Sequence, residues 1–280
     1  VVRDAIHGYP VLPFLGIRFT IAAVCLAPAV VRSLRGAAAG IVPGFALAGG
    51  YLAQSAGLKF TTASKAGLLT GLFVVITPLL GIVVWRRLAS AATLAAAAGA
   101  LIGTGMLLGA GAAQPGSQQL IGDTLEVLTA LCFSIHILLL ARFAPGREPA
   151  RVAWTQMLVA AMLFSLTGQA AGQFRPPDSS VWLALVVTGV LASAVAFLVQ
   201  TAVQQRISPS RTAIVLAAEP AFATLFGVIL AGDRFGPLQG AGAALIVGAV
   251  GFHEWAAAQG GAAGVADSVP VPRDAETAPG

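Results

Sequence analysis

Glu219 stands beside Pro220 in a stretch with no other charged residue between Arg211 and Asp233. A carboxyl group so placed can meet a cation or take up and release a proton. Proline lacks the N–H that would bond to the carbonyl of Leu216, so it opens the backbone next to that carboxyl. The competing reading is a carboxyl that merely satisfies the opened turn. Pro78, in Thr77-Pro78-Leu79-Leu80, marks a corresponding kink in the first half, without the acid. His136 lies ten residues beyond Glu126 in an apolar run. Its imidazole can bond to a ligand or relay protons, or simply be satisfied by a neighbouring helix. Gln54 and Gln200 are amides at equivalent places in the two halves, able to donate and accept toward a small polar solute or to act as glue between helices. Gln156, Ser134 and Ser193 are weaker candidates of the same kind. Arg18 is expected to hold a helix end, by reaching headgroups or pairing with Asp4, with a part in substrate access as the rival.

The elements that must carry these residues follow from composition. Residues of the apolar set make up 57% of the 280, Gly adds 33, and charged residues reach only 10%, against about 25% in soluble domains. A water-soluble enzyme is thereby excluded. A helix needs about 20 apolar residues to cross the hydrocarbon core. Charge-free windows at or near that length are 36–58, 66–85, 88–122, 152–174, 179–205 and 235–252. Three further segments reach it by including ionisable residues: 11–31 with Arg18, 120–141 with Asp123, Glu126 and His136, and 211–231 with Arg211 and Glu219. Asp123 and Glu126 are read as first-turn carboxylates favoured by the helix dipole, and 114–119 as a turn. Nine segments with short connections define an all-α integral membrane protein, a polytopic bundle without an extramembrane domain. The absence of period-2 alternation argues against a barrel.

Enzyme signatures are missing: no phosphate-binding loop, no His/Cys/Asp cluster with metal-ligand spacing, and no cofactor motif. Cys25 and Cys132 read as buried small side chains. The formal charge of +5 comes without basic blocks, so it is no sign of nucleic acid. The loops at 32–35, 86–87, 142–151 and 206–211, with Arg273, hold about twice the basic residues of the alternate set Arg3, Lys59, Lys65, Arg175 and Arg234. That bias predicts a cytoplasmic C-terminus. Trp85, Trp182 and Trp255 fall at segment ends as interface anchors, and Trp154 reads either way.

An internal repeat is visible at an offset of 146. Tyr51-Leu52-Ala53-Gln54 falls on Phe197-Leu198-Val199-Gln200, and Ser64-Lys65 on Ser210-Arg211. Both halves end in a Gly-rich helix, with Gly99, Gly103, Gly105 and Gly109 in one and Gly240, Gly242 and Gly248 in the other, a spacing for close helix contact. The first half shows four helices and the second five. Val1-Val2 therefore reads as the end of an earlier helix, and five crossings per half would make the repeat inverted. The expected organisation is a first repeat over 1–112, a second over 120–256, and a disordered tail over 257–280.

Gly8-Tyr9-Pro10 with Leu15-Gly16-Ile17-Arg18-Phe19, the Thr212 to Pro220 stretch, Gly232-Asp233-Arg234-Phe235 and Gln239-Gly240 together resemble the EamA family of the drug/metabolite transporter superfamily. The pattern departs at Asp233, where the family usually has Glu, and at Trp85-Arg86-Arg87-Leu88. The resemblance implies a ten-helix bundle of two inverted five-helix repeats in a cell membrane, a bacterial inner membrane on the family pattern. It implies secondary transport of a small organic metabolite or drug-like solute by alternating access, with export as the first guess. Proton coupling, cargo and the choice between monomer and homodimer stay open. The alternative is an accessory membrane protein without cargo. The partners expected are a small-molecule solute and the lipid bilayer.

Overall fold

The structure, a computed structural model, describes residues 9–86, 89–108, 117–231 and 236–259. The expected helix end at Val1 to Asp4, the Gly232 to Phe235 turn and the tail beyond 259 lie outside the described residues.

Over the described residues, each of the nine expected segments is helical for most of its length. α1 is Val11–Leu26, followed by a single turn, α2, at Pro28–Val31. Gly36 adopts a left-handed φ of 79° that ends this excursion, and a 3₁₀ turn at Ala37–Gly40 leads into α3, Ile41–Gly57. Then come α4 (Ala63–Thr70), α5 (Phe73–Trp85), α6 (Ala91–Leu108), α7 (Ser117–Phe143) and α8 (Pro149–Ala170). α9 (Ser179–Gly189) runs through a π-helical turn at Val190–Val195 into α10 (Ala196–Gln204). α11 (Pro209–Leu216), α12 (Glu219–Ala231) and α13 (Pro237–Gln259) complete the order. Among the described residues seven helical spans are long and apolar enough to cross a membrane, with Val11–Leu26 as a shorter apolar helix.

Two expectations are corrected. α7 begins at Ser117 rather than after a turn reaching 119, because Ser117-Gln118-Gln119 contains neither Gly nor Pro to break it. Asp123 and Glu126 therefore sit in its second and third turns, not its first. Cys25 is exposed and Cys132 only half-buried, since an apolar run in a membrane helix has a face for lipid as well as a face for protein.

The chain forms two compact units. Among the described residues the first comprises 9–49 and 139–206, and the second those from 50 to 138 and from 207 to 259, so each draws on both halves of the sequence. In the first, α1 packs along α8. Gly16 permits this: a Cβ there would meet Ser165 Oγ at 2.9 Å. The buried rings of Phe19 and Phe164 stack with centroids 5.7 Å apart. In the second, α6 packs along α13. A Cβ on Gly103 would lie 2.7 Å from the Gly242 carbonyl, and one on Gly242 would lie 2.6 Å from the Gly103 carbonyl. These two are the pair behind the small-residue pattern. Gly240 and Gly248 face open space.

Candidate functional site

In the second unit, two spans break in the same way. α4 and α11 are each 8 residues, α5 and α12 are each 13, and every boundary in one half lies 146 residues from its counterpart. The hydroxyls of Thr62 and Ser208 cap the short helices by accepting from the N–H groups of Lys65 and Arg211 at 3.2 Å. Lys65 and Arg211 also occupy matching positions, and each pairs with an acid on another helix: Lys65 Nζ with Asp123 at 2.5 Å, and Arg211 with both carboxylate oxygens of Glu254.

The break itself is a tightening to i→i+3 bonds. Leu72 N–H donates to Leu69 O at 3.1 Å and Val74 N–H to Gly71 O at 3.1 Å. In the second half Ala218 N–H donates to Val215 O at 3.1 Å. Mid-helix 3₁₀ geometry often marks a hinge. Pro220 is the second residue of α12, where a missing N–H is tolerated, and its counterpart Val74 shows that the break forms without proline. Pro78 lies inside α5, past the break. Glu219 is exposed and opens α12, so its carboxylate stands where the helix dipole favours negative charge.

His136 is buried on α7, and Gln54 is half-buried on α3. With Glu219 both belong to the second unit. Arg18 and Gln200 belong to the first. Arg18 is at the middle of α1, not its end. Its Nε donates to Ser193 Oγ at 2.7 Å and its Nη2 to Ala192 O at 3.1 Å. Both acceptors lie in the π-helical turn, where bonding is widened and a carbonyl is left for an outside donor. Asp4, its expected partner, falls outside the described residues. Gln200 donates to Gln204 Oε1 at 3.1 Å, while buried Gln156 donates to Thr201 Oγ1 at 3.2 Å. Outside the span, Tyr9 donates to Arg175 O at 2.5 Å. Burial chiefly raises its phenol above 10.0; Arg175 lowers it and Asp178 raises it further.

Sequence reasoning missed Glu126. Its side chain is fully buried, Oε2 accepts from Thr70 Oγ1 at 2.9 Å, and Oε1 is buried without a hydrogen-bond partner. The signal was its spacing of three from Asp123 on a helix of 27 residues. That spacing puts one carboxyl at the exposed end of a face and the other a turn deeper. Among the described residues no three His, Cys, Asp or Glu side chains gather as a metal site.

Apolar spans of membrane length, with two of them broken in register, define a polytopic α-helical membrane protein. The EamA-like transporter family model matches residues 1–109 and again residues 120–253, and the chain belongs to that family, within the drug/metabolite transporter superfamily. An uncharacterized transporter of Archaeoglobus fulgidus is 28% identical over 252 residues, covering 89% of this chain and 79% of that protein. A solved crystal structure of a protein has a similar fold, with a TM-score of 0.81, 23% identity and 92% of each chain covered.

Proposed function

We propose that this chain moves a small organic solute across a cell membrane by alternating access, its two halves acting as an inverted repeat. The observation that carries this reading is the pair of broken helices. Discontinuous helices at corresponding places in two halves are where transporters of this kind expose backbone and half-helix ends to cargo. Glu219, exposed at the start of α12, is the carboxylate that meets a cationic group of the solute or a coupling proton. His136 and Gln54, in the same unit as Glu219, supply further polar contacts. Within the other unit Gln200 and Arg18 are the candidate polar contacts, Arg18 bonding to the π-helical turn. The direction proposed is export.

The test is thermal-shift screening of the purified protein against a metabolite library, followed by flux of the hits in reconstituted vesicles. Saturable flux of a stabilising compound is expected. Stabilising compounds that never cross the vesicle membrane would make the protein a receptor or accessory subunit and sink the transport reading.

A further inference from the structure

We propose that Glu126 and Thr70 form a proton-binding site within the second unit, reached through Asp123 and Lys65 and distinct from Glu219. Only its part in transport rests on the reading above.

Glu126 lies inside the span Gln119–Phe143 and is 0% exposed. An ionised carboxylate at membrane depth is costly unless both oxygens find donors or a cation. Here only one oxygen does, and its donor is the neutral hydroxyl of Thr70. The charged groups nearest along the surrounding elements are Asp123 on α7 itself, Lys65 on α4 and the exposed Lys59 after α3, while His136 and Arg142 lie about 15 and 24 Å farther along α7 by helix rise. Asp123 already takes Lys65, at 2.5 Å, and also accepts from Thr61 at 3.0 Å. A proton on Oε1 removes the buried charge and turns the unpartnered acceptor into a donor.

Gly57 leaves the space for it. A Cβ there would lie 2.7 Å from Glu126 Oε1 and 3.1 Å from the carbonyl oxygen of Gly122, so the two oxygens border one small gap. That carbonyl, four residues earlier on the same helix, is the acceptor a protonated Oε1 would use. The proton arrives on hydronium: an O–H bond forms at Oε1, water is left behind, and the carboxylate becomes a neutral acid. Release is the reverse. The side chains of Asp123 and Lys65 are 21% and 34% exposed, and Asp123 is three residues, about 4.5 Å of helix rise, from Glu126. They form the wet end of the path. Thr70 is the last residue of α4, directly before the break at Gly71-Leu72. Movement at that hinge would withdraw the one donor Glu126 has, which ties proton affinity to the state of the helix.

The experiment is infrared difference spectroscopy of the full chain in lipid vesicles, titrated with pH and without solute. The wild type should show the carbonyl-stretch band of a buried, hydrogen-bonded carboxylic acid that disappears as pH rises. Glu126→Gln should abolish that band, and Glu148→Gln, on an exposed loop residue, should keep it. Thr70→Val, which retains Glu126, should move the midpoint by about one pH unit. A band that survives Glu126→Gln, or a wild type with no such band, overturns the proposal. If Glu126→Gln does not insert, the Thr70→Val midpoint decides, and an unmoved midpoint overturns it. Absent flux in the same vesicles would count against transport while leaving the titration result standing.

Discussion

Three side chains illustrate how differently a polar group behaves at one depth or another. Glu219 is exposed, at a helix start that favours its charge. The expectation is that Glu219→Gln inserts and folds normally yet loses flux driven by an imposed pH gradient, read in reconstituted vesicles. Unchanged gradient dependence would return this carboxyl to an architectural role. Arg18 has its guanidinium bonded to Ser193 and Ala192 across α1 and the π-helical turn. Arg18→Ala leaves those acceptors unmet and should cost about 1–3 kcal/mol, seen as a lower melting temperature. Flux that falls with no loss of stability would instead give Arg18 a part in substrate access. Tyr9 is 5% exposed and its phenol titrates above the usual value. Raised in the folded state, it contributes its hydrogen bond fully below the unfolded value near 10.0 and loses it as pH rises through the higher folded value. The melting difference between wild type and Tyr9→Phe, about 1 kcal/mol, should therefore stay constant from about pH 6 to 9 and vanish only above about pH 10.

At the scale of elements, the caps and the glycine contact set the geometry of the second unit. Thr62 and Ser208 fix where α4 and α11 begin, and with them the register of both breaks. Ser208→Ala removes one bond to the Arg211 N–H and should destabilise by about 1 kcal/mol. The equivalent Thr62→Ala should behave alike if the two halves are built alike, and thermal melts of both proteins compare them directly. Gly103→Ala presses a methyl group onto the Gly242 carbonyl at 2.7 Å and onto Ile246 Cγ1 at 2.8 Å. Overpacking of this kind costs about 1–3 kcal/mol. Gly248→Ala meets nothing within 4 Å and should be neutral or slightly stabilising, since alanine is the better helix former. Equal losses for the two substitutions would mean that α6 and α13 do not meet at Gly103.

For the whole molecule, the expected orientation places the loops rich in arginine and the C-terminus in the cytoplasm. A reporter active only outside the membrane should be silent when fused after Gln259 and active when inserted in the loop at Arg175–Asp178. The opposite pattern would reverse the topology and place the exposed end of the Asp123–Glu126 face on the other side. Dependence of proton uptake on the side from which pH is changed reads the same orientation independently.

The nine apolar segments, their short connections and the 146-residue echo were legible from the sequence because membrane crossing imposes length and hydropathy locally. The family was legible for a related reason, that its marks lie on short contiguous stretches. The matching breaks at Gly71-Leu72 and Ala217-Ala218 were only half visible: Pro220 pointed near one of them, but Val74 in the other half carries no such sign. Burial was not legible at all. Cys25 and Leu140 both sit in apolar runs, yet one is exposed and the other fully buried, because lipid and protein are equally apolar neighbours for a side chain. The same ambiguity hid Glu126, which reads as an ordinary early-turn carboxylate until α7 is seen to start at Ser117 and Thr70 and Gly57 are brought against it. Sequence determines which stretches lie in the membrane. Only tertiary packing decides which of their polar atoms find a partner, since those partners lie far along the chain.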